Sequence, residues 1–180
     1  MSKKILILAG SPRKNGNSAA LCAAFAEGAK EAGHAVETIH LVDRNIGFCL
    51  ACYHCASHGG ECVLKDDMAD ILDRIQAADV LVMASPVYFY AICGRLKALI
   101  DRCIARWLSI KNKEFYYIMT SAEDSATVMD GTLAGLRGFA ECLEGSIERG
   151  VLYGKGLAEA GDIAKRPDLL EQARAMGRKA

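Results

Sequence analysis

The sequence has no excess of charge of either sign and no long hydrophobic run. Its 22 Lys and Arg residues balance 22 Asp and Glu residues, so the composition predicts neither a nucleic-acid partner nor an anionic membrane partner. The early apolar run at 5–9 is too short for a membrane span or a signal peptide. Repeats and low-complexity linkers are also absent. We therefore expect one cytoplasmic domain over residues 1–180 that contacts neither nucleic acid nor membrane.

Short apolar segments alternate with longer segments of helical periodicity. Strands are predicted at 4–9, 36–42, 80–84, 115–120 and 151–153. Helices are predicted at 18–32, 68–75, 96–107, 133–147 and 167–176, with Asp67 as the N-cap of the second. This alternation is typical of an α/β domain whose parallel sheet is covered by helices on both faces. Ligands of such sheets bind beyond the carboxyl ends of the strands, so the loops after strands one, three and four carry the expected site.

The loop after the first strand, residues 10–18, fits neither of two common phosphate motifs. Pro12 replaces the second glycine of a dinucleotide fingerprint, and Asn15 stands where a Walker loop needs glycine. Hydroxyl, amide and cationic side chains nevertheless lead into a helix, at Ser11, Arg13, Asn15, Asn17 and Ser18. Such donors at a helix N-terminus favour a terminal phosphate monoester. The alternative is an ordinary polar turn capped by Asn17 or Ser18.

Aromatic residues follow the third strand in an unbroken run. Pro86 and Val87 precede Tyr88, Phe89 and Tyr90. A proline followed by apolar and aromatic residues makes a flat wall that suits a planar ring. The alternative is a surface turn whose aromatic residues pack on a neighbouring subunit. After the fourth strand, the polar segment 120–124, which includes Ser121, offers hydrogen bonds to the far edge of such a ring.

Four of the eight cysteines are concentrated in one loop, residues 47–66, at Cys49, Cys52, Cys55 and Cys62. Ferredoxins hold iron–sulfur clusters with similarly tight spacing, whereas structural zinc more often uses two separated pairs. Zinc, a redox disulfide and free thiols remain alternatives. His54 and His58 are expected to be solvated residues that modulate the centre. The remaining cysteines are expected to be structural, namely Cys22, Cys93, Cys103 and Cys142. No spacing indicates hydrolytic chemistry.

Several of these motifs together resemble a known family. The segments GSPRKNGNS (10–18), SPVY (85–88), GVLYG (150–154) and GDI (161–163) are similar to the flavodoxin-like NADPH-dependent FMN reductases. The cysteine loop and the VLKDDM segment after it (63–68) resemble the iron–sulfur flavoprotein branch of that family. The resemblance implies a flavodoxin-like three-layer sandwich with a five-stranded parallel sheet in the order 2-1-3-4-5.

The resemblance also implies a role for each motif. The FMN phosphate would be held by Ser11, Arg13, Asn15, Asn17 and Ser18. The isoalloxazine ring would be lined by Pro86, Val87, Tyr88 and Phe89. A 4Fe–4S cluster would be bound by Cys49, Cys52, Cys55 and Cys62. No side chain need be catalytic, because the flavin carries the chemistry.

The expected function is that of a homodimeric or homotetrameric FMN-dependent oxidoreductase. Its cluster would pass electrons from a ferredoxin-like donor to FMN across a subunit interface, and a small-molecule acceptor would oxidise the flavin. Two alternatives remain. One is an NAD(P)H-dependent FMN or quinone reductase without a cluster, in which NADPH is the donor. The other is a non-catalytic redox carrier or sensor that signals through a protein partner.

Overall fold

Strands and helices alternate along the whole chain in the computed structural model, which describes residues 1–180. The strands are β1 (Lys4–Ala9), β2 (Ala35–His40), β3 (Val80–Tyr88), β4 (Ala91–Ile92), β5 (Glu114–Thr120) and β6 (Ile147–Gly154). The helices are α1 (Asn17–Glu31), α2 (His54–Ser57), α3 (Met68–Ala77), α4 (Gly94–Arg102), α5 (Asp130–Glu141) and α6 (Pro167–Arg178). None of these helices combines the length and apolar character that crossing a membrane requires.

Five of the strands form one parallel sheet in the spatial order β2-β1-β3-β5-β6. The short strand β4 pairs antiparallel with the end of β3 and lies outside this sheet. Counting only the parallel strands, the order is 2-1-3-4-5, so the predicted topology is confirmed. Because the order reverses between β1 and β3, their carboxyl ends border the crevice where doubly wound sheets bind ligands.

The sheet is buried on both faces, which gives three layers. In β1, Leu6 and Leu8 pack with α3, α4 and α5, whereas Ile5 and Ile7 pack with α1 and α6 on the opposite face. Alternation of this kind follows from the two-residue period of a strand. The predicted three-layer sandwich is therefore confirmed.

Helices α1 and α6 approach each other closely because glycine lies at their contact. A Cβ atom on Gly28 would lie 2.0 Å from the carbonyl oxygen of Arg174. A Cβ atom on Gly177 would lie 2.0 Å from the carbonyl oxygen of Phe25. No side chain fits at such distances, so the two glycines fix the separation of this helix pair.

Some predicted boundaries are wrong. The helical stripe predicted to run to Ile147 ends at Glu141, and Ile147 instead begins β6. The chain turns between them at Gly145, whose φ of 71° lies in the left-handed region that favours glycine. The helix predicted over 96–107 ends at Arg102 and continues as two short 3₁₀ turns, Cys103–Ala105 and Trp107–Ser109. The edge strand ends at His40 rather than at 42.

Candidate functional site

The loop after β1 is fixed against the end of β3. The backbone N–H of Gly10 donates to the carbonyl oxygen of Ala84 at 2.8 Å. The Cys93 thiol donates to the Gly10 carbonyl oxygen at 3.3 Å from the start of α4. A Cβ atom on Gly10 would lie 2.7 Å from the Cys93 sulfur, so this close approach requires glycine. The first and third loops are thereby brought together, as the sequence predicts.

The N-terminus of α1 has free polar groups that suit an anion. Gly16 caps the helix without any side-chain hydrogen bond, so the first backbone N–H groups of α1 have no intrahelical acceptor. The hydroxyl of Ser18 is buried and has no hydrogen-bond partner within the protein. Ser11 is also buried, and its hydroxyl donates to the Arg13 carbonyl oxygen at 3.3 Å and accepts from the Arg13 N–H at 3.1 Å, while Arg13 and Asn15 are exposed. A buried, unpartnered donor at a helix N-terminus matches what a phosphate group needs.

The side chain of Asn17 is already occupied within the protein. Its Nδ2 donates to the carbonyl oxygens of Leu157 at 3.3 Å and Glu159 at 2.9 Å. Its Oδ1 accepts from the backbone N–H groups of Gly161 and Ile163, both at 3.2 Å. Both donors and both acceptor positions of the amide are therefore used. Only the backbone N–H of Asn17 remains for a ligand.

Ser121 is likewise engaged in the protein. Its N–H donates to the carbonyl oxygen of Gly154 at 3.0 Å, and its carbonyl oxygen accepts from the N–H of Leu157 at 2.8 Å. Its hydroxyl donates to the carbonyl oxygen of Glu123 at 2.9 Å. Because Leu157 also accepts from Asn17, one hydrogen-bonded network joins the loops after β1, β5 and β6.

Strand β3 runs on to Tyr88, past its predicted end at Ala84, and forms a tight hairpin with β4. Phe89 and Tyr90 are its two turn residues, with φ of 50° and 62°. Positive φ at both positions is the type I′ geometry, which favours Asn and Gly and strains aromatic residues. Pro86 is buried and Val87 half-buried, whereas Tyr88 is 48% exposed and Phe89 fully exposed. The strained turn holds an aromatic surface in solvent beside the crevice.

The cysteine loop is closed at its base by two aspartates. The carboxylate of Asp67 accepts from the N–H of Asn45 at 2.8 Å. The carboxylate of Asp66 accepts from the N–H groups of Gly47 at 2.9 Å and Met68 at 3.1 Å. Asp67 is the N-cap residue of α3, as predicted, but its side chain makes no capping hydrogen bond to the helix. Its side chain ties the two ends of the loop together instead.

Arg102, the last residue of α4, reaches both ends of this loop. Its Nη1 donates to the Gly47 carbonyl oxygen at 2.9 Å and to Asp66 at 2.7 Å, and its Nη2 donates to Asp66 at 3.0 Å. The Arg102 and Asp66 side chains are only 2% and 7% exposed. Burial raises the pKa of the Asp66 carboxyl, but the hydrogen bonds from Arg102 and the two backbone N–H groups outweigh burial and lower it.

A cavity of about 660 Å³ lies between the cysteine loop and helices α4 and α5. All four cysteines of the predicted metal site line it, at Cys49, Cys52, Cys55 and Cys62. Its walls are mainly apolar and include Ile100, Ile104, Trp107 and Phe139. No three Cys, His, Asp or Glu side chains stand together in metal-binding geometry. The four thiols thus line one cavity, but no three of them are arranged to bind one metal ion.

The histidines of the loop do not line this cavity. The rings of His54 and His58 stack with their centroids 3.6 Å apart. His58 is exposed, and its Nδ1 lies 2.9 Å from the carbonyl oxygen of His54. His54 is half-buried, so the expected solvent exposure holds for His58 alone.

The cavity and the phosphate loop lie at opposite ends of α4. Cys93, which precedes α4, contacts Gly10, whereas Arg102 at its last residue lines the cavity. Arg102 lies about 13 Å from Cys93 along the helix, and Lys97 extends the cavity lining about halfway back towards Cys93. Helix α4 therefore contacts both the loop after β1 and the cavity of the cysteine loop.

The four cysteines outside the loop differ from one another. Burial raises the pKa of the Cys22 and Cys103 thiols to about 12, which suits their predicted structural role. Cys93 is buried and hydrogen-bonded under the first loop. Cys142, expected to be a small core residue, is instead exposed and lines the cavity.

Sequence reasoning missed Arg102 and Asp66. One signal was present, because Arg102 lies three residues after Leu99 on the apolar stripe of its helix. A charged residue on a buried stripe needs an acidic partner. The sequence alone did not identify that partner, which lies 36 positions earlier in the chain.

The fold and the polar loop at the head of α1 define a doubly wound α/β domain with polar donors at its crevice. The profile of the NADPH-dependent FMN reductase family matches residues 3–133. The chain belongs to this family.

Curated relatives have names that point to one branch of the family. An iron–sulfur flavoprotein of Archaeoglobus fulgidus is 39% identical over 121 residues, which is 66% of this chain and 59% of the relative. An iron–sulfur flavoprotein of Methanosarcina thermophila is 36% identical over 113 residues, or 61% of this chain and 59% of the relative. The chain thus spans less than two thirds of the length of these relatives.

Solved structures of similar shape cover nearly the whole chain. An FMN-dependent NADH-azoreductase of Bacillus anthracis, solved with FMN, has a TM-score of 0.76 and 19% identity and covers 98% of each chain. An NAD(P)H:quinone oxidoreductase of Methanothermobacter marburgensis has a TM-score of 0.72 and 22% identity and covers 99% of this chain and 96% of its own. At such identities the likeness establishes the fold.

Proposed function

We propose that this protein is an FMN-dependent oxidoreductase whose cysteine loop carries an iron–sulfur cluster that exchanges electrons with the flavin. The observation that carries the proposal is the common cavity lined by all four loop cysteines. It occurs in a chain of the FMN reductase family whose curated relatives include iron–sulfur flavoproteins. Cluster spacing in the sequence and a shared cavity in the fold point to the same centre.

The phosphate of FMN would bind at the head of α1. The unpartnered hydroxyl of Ser18 and the free N–H groups of the first helical turn would donate to it. Ser11, Arg13 and Asn15 would add a hydroxyl, a cation and an amide from the loop. Asn17 would contribute its backbone N–H, since its side chain holds the loop after β6 in place.

The isoalloxazine ring would lie against the carboxyl end of β3 and the hairpin turn that follows it. Pro86 and Val87 offer an apolar surface, and the strained hairpin projects Tyr88 and Phe89 beside it. On the far side, the loop that begins at Ser121 would offer its backbone groups to the ring edge. Bound FMN would supply the redox chemistry, so these residues bind, orient and exclude water rather than act as acids or bases.

The cysteine loop fits an iron–sulfur cluster in the type and number of its donors. Cubane clusters are commonly held by four thiolates, and Cys49, Cys52, Cys55 and Cys62 supply four. A bound cluster would supply one-electron transfer. Glycines at 59 and 60, both with positive φ, give the chain before Cys62 a tight turn that brings this cysteine back towards the others.

We further propose that the protein works as a homodimer or homotetramer. Apolar side chains are exposed around the cysteine loop and the hairpin, including Phe48, Leu50, Tyr53, Trp107 and Leu108. In this assembly the cluster of one subunit would pass electrons to the flavin of another across the interface, as the family resemblance implies. Electrons would come from a ferredoxin-like protein and leave to a small-molecule acceptor.

A second candidate is an NAD(P)H-dependent FMN or quinone reductase without a cluster. The separation of the thiols favours it, since no three of them stand in metal-binding geometry. This enzyme would accept hydride from NADPH directly and would leave the cysteines free.

Cofactor analysis of anaerobically purified protein tests the first proposal against the second. We expect stoichiometric FMN, about four iron and four sulfide per chain, and fast reduction by a reduced ferredoxin but slow reduction by NADPH. Cys52→Ser should lose iron and keep FMN. Cys142→Ser is the matched control, because Cys142 lines the same cavity outside the loop.

Two results would reject the cluster. One is FMN-loaded wild-type protein without iron or sulfide, reduced rapidly by NADPH. The other is equal iron content in the Cys52→Ser and wild-type proteins. Analytical ultracentrifugation of the same samples tests the proposed oligomer, which fails if the holoprotein sediments as a monomer.

A further inference from the structure

Arg102 stands out among the charged residues of the chain by its burial. Its side chain is 2% exposed, and its partner Asp66 is almost as deeply buried. Most of the other ion pairs lie at the surface, such as Arg174 with Glu27 on the opposite face of the sheet. A buried ion pair adds little net stability compared with an apolar pair of similar size. Burial of Arg102 therefore calls for a role other than stability.

The hydrogen bonds of Arg102 leave one of its three guanidinium nitrogens without a partner. Both terminal nitrogens of the guanidinium are used, by Asp66 and by the Gly47 carbonyl oxygen. The remaining nitrogen, Nε, is buried and has no hydrogen-bond partner. A buried cationic donor without an acceptor is rare in folded proteins. A cation that only stabilised the last turn of α4 would reach solvent and be satisfied there.

The surroundings of Arg102 indicate an acceptor. Arg102 lines the cavity together with the four loop cysteines. Cys62 is the loop cysteine nearest in sequence to Asp66, the ion-pair partner of Arg102. Cys62 and Arg102 thus line one cavity, and the Asp66 ion pair joins the segments that carry them. Sulfur atoms of thiolates and of iron–sulfur clusters accept N–H hydrogen bonds, which tune the centre they belong to.

We propose that Arg102 is a positioning residue of the cysteine loop, which clamps both ends of the loop and donates Nε–H to the sulfur ligand set at Cys62. The inference rests on the proposed iron–sulfur function and adds to it a residue outside the cysteine motif. Its clamp holds Cys62 at the cavity through Asp66, four residues later. Its charge and its N–H donor stabilise the more negative, reduced state of a sulfur-ligated centre, and so raise the reduction potential.

Two variants of the FMN-loaded holoprotein test this role. Arg102→Gln removes the charge and Nε, and Arg102→Lys keeps the charge but loses Nε and the forked geometry. Arg174→Gln is the matched control, an arginine removed from an ion pair on the opposite face. All are purified anaerobically and compared in FMN content, iron content, rate of iron loss to a chelator and cluster midpoint potential.

We expect Arg102→Gln to lose iron about 10-fold faster or more, the usual effect of removing a residue that orients metal ligands. Its midpoint potential should be lower than that of the wild type. Arg102→Lys should recover part of the iron retention and still show a lowered potential, because it lacks the N–H donor. Arg174→Gln should match the wild type in both measurements. If Arg102→Gln does not fold, Arg102→Lys carries the comparison.

Iron-loaded Arg102 variants whose potential and iron loss equal those of the wild type would overturn the inference and leave the proposed function intact. A wild-type protein that takes up no iron would overturn both. The iron content of the wild-type protein therefore distinguishes failure of the proposed function from failure of the inference about Arg102.

Discussion

The side-chain oxygen of Asn17 lies 3.2 Å from the backbone nitrogen of Ile163, 146 positions later in the chain. This contact ties the first turn of α1 to the loop after β6. It turns a residue that sequence patterns assign to a ligand into a structural support for the crevice. The position of the phosphate loop thus depends on the C-terminal part of the chain.

Replacing Asn17 should destabilise the protein without any ligand present. Asn17→Ala leaves the N–H of Ile163 and the carbonyl oxygen of Leu157 without partners, and we expect a loss of about 2 kcal/mol in the free energy of unfolding. Urea unfolding of the FMN-free protein measures it. Asn15→Ala, at an exposed position of the same loop, should change little. Equal stability of the two variants would show that Asn17 is not a support.

Ser18 should behave in the opposite way. Its hydroxyl is buried without a partner, so Ser18→Ala should leave the FMN-free protein as stable as the wild type or slightly more stable. FMN binding should weaken by about 10- to 100-fold, since a hydrogen bond to a charged phosphate is lost. Flavin fluorescence quenching measures the dissociation constant.

Ser146→Ala is the control for Ser18, because its hydroxyl is also buried and unpartnered but lies at the start of β6 rather than at the head of α1. It should bind FMN as the wild type does. Equal FMN affinity of Ser18→Ala and wild type would show that the FMN phosphate does not bind to Ser18 at the head of α1.

The hairpin turn should gain stability from a residue that tolerates positive φ. Phe89 has a φ of 50° and is fully exposed, so Phe89→Asn relieves backbone strain without removing buried surface. We expect the free energy of unfolding to rise by about 1 kcal/mol and FMN affinity to fall, because an aromatic wall residue is lost. Phe48→Asn, an exposed aromatic residue without positive φ, should bring no such gain.

Unchanged stability of Phe89→Asn would show that the positive φ of Phe89 does not strain the wild-type turn. Thermal unfolding of both variants, followed by circular dichroism, decides the first part. Flavin titration measures the predicted fall in FMN affinity. Unchanged affinity would show that Phe89 does not contact the isoalloxazine ring.

The buried pair of Asp66 and Arg102 predicts a dependence of stability on pH. The pKa of Asp66 is lowered in the folded protein, so its contribution is present above the unfolded pKa of about 3.9 and is lost as the pH falls through the folded pKa. At pH 7, Asp66→Asn should lower the free energy of unfolding by about 3 kcal/mol, since Arg102 then lacks its buried counter-charge. The difference from the wild type should shrink as the pH falls below about 4.

Asp168→Asn is the comparison for Asp66, because its pKa is also lowered by an arginine but the pair lies in solvent. Water and salt screen such a pair, so its removal should have little effect at any pH. A pH-independent difference between Asp66→Asn and the wild type would show that the carboxylate charge is not what Arg102 needs.

Local patterns in the sequence predicted the parts of the protein that depend on neighbouring residues. Alternation of apolar residues gave the strands and the order of layers, and the spacing of Cys49, Cys52, Cys55 and Cys62 identified the loop that forms one wall of the cavity. The hairpin aromatics and the polar loop at 10–18 were placed at the carboxyl edge for the same reason. Periodicity and spacing are properties of short segments, so one sequence is enough to read them.

Only the tertiary structure decided how polar side chains are divided between structure and ligand. Asn17 and Ser18 are adjacent polar residues, and the sequence predicts the same role for both. The Asn17 amide nevertheless makes four hydrogen bonds to distant loops, whereas the Ser18 hydroxyl makes none. Arg102 is buried because Asp66 and Gly47 come to it from another segment. Hydrogen bonds between residues far apart in the chain form only once the sheet brings its loops together, so no local pattern reveals which donors remain free.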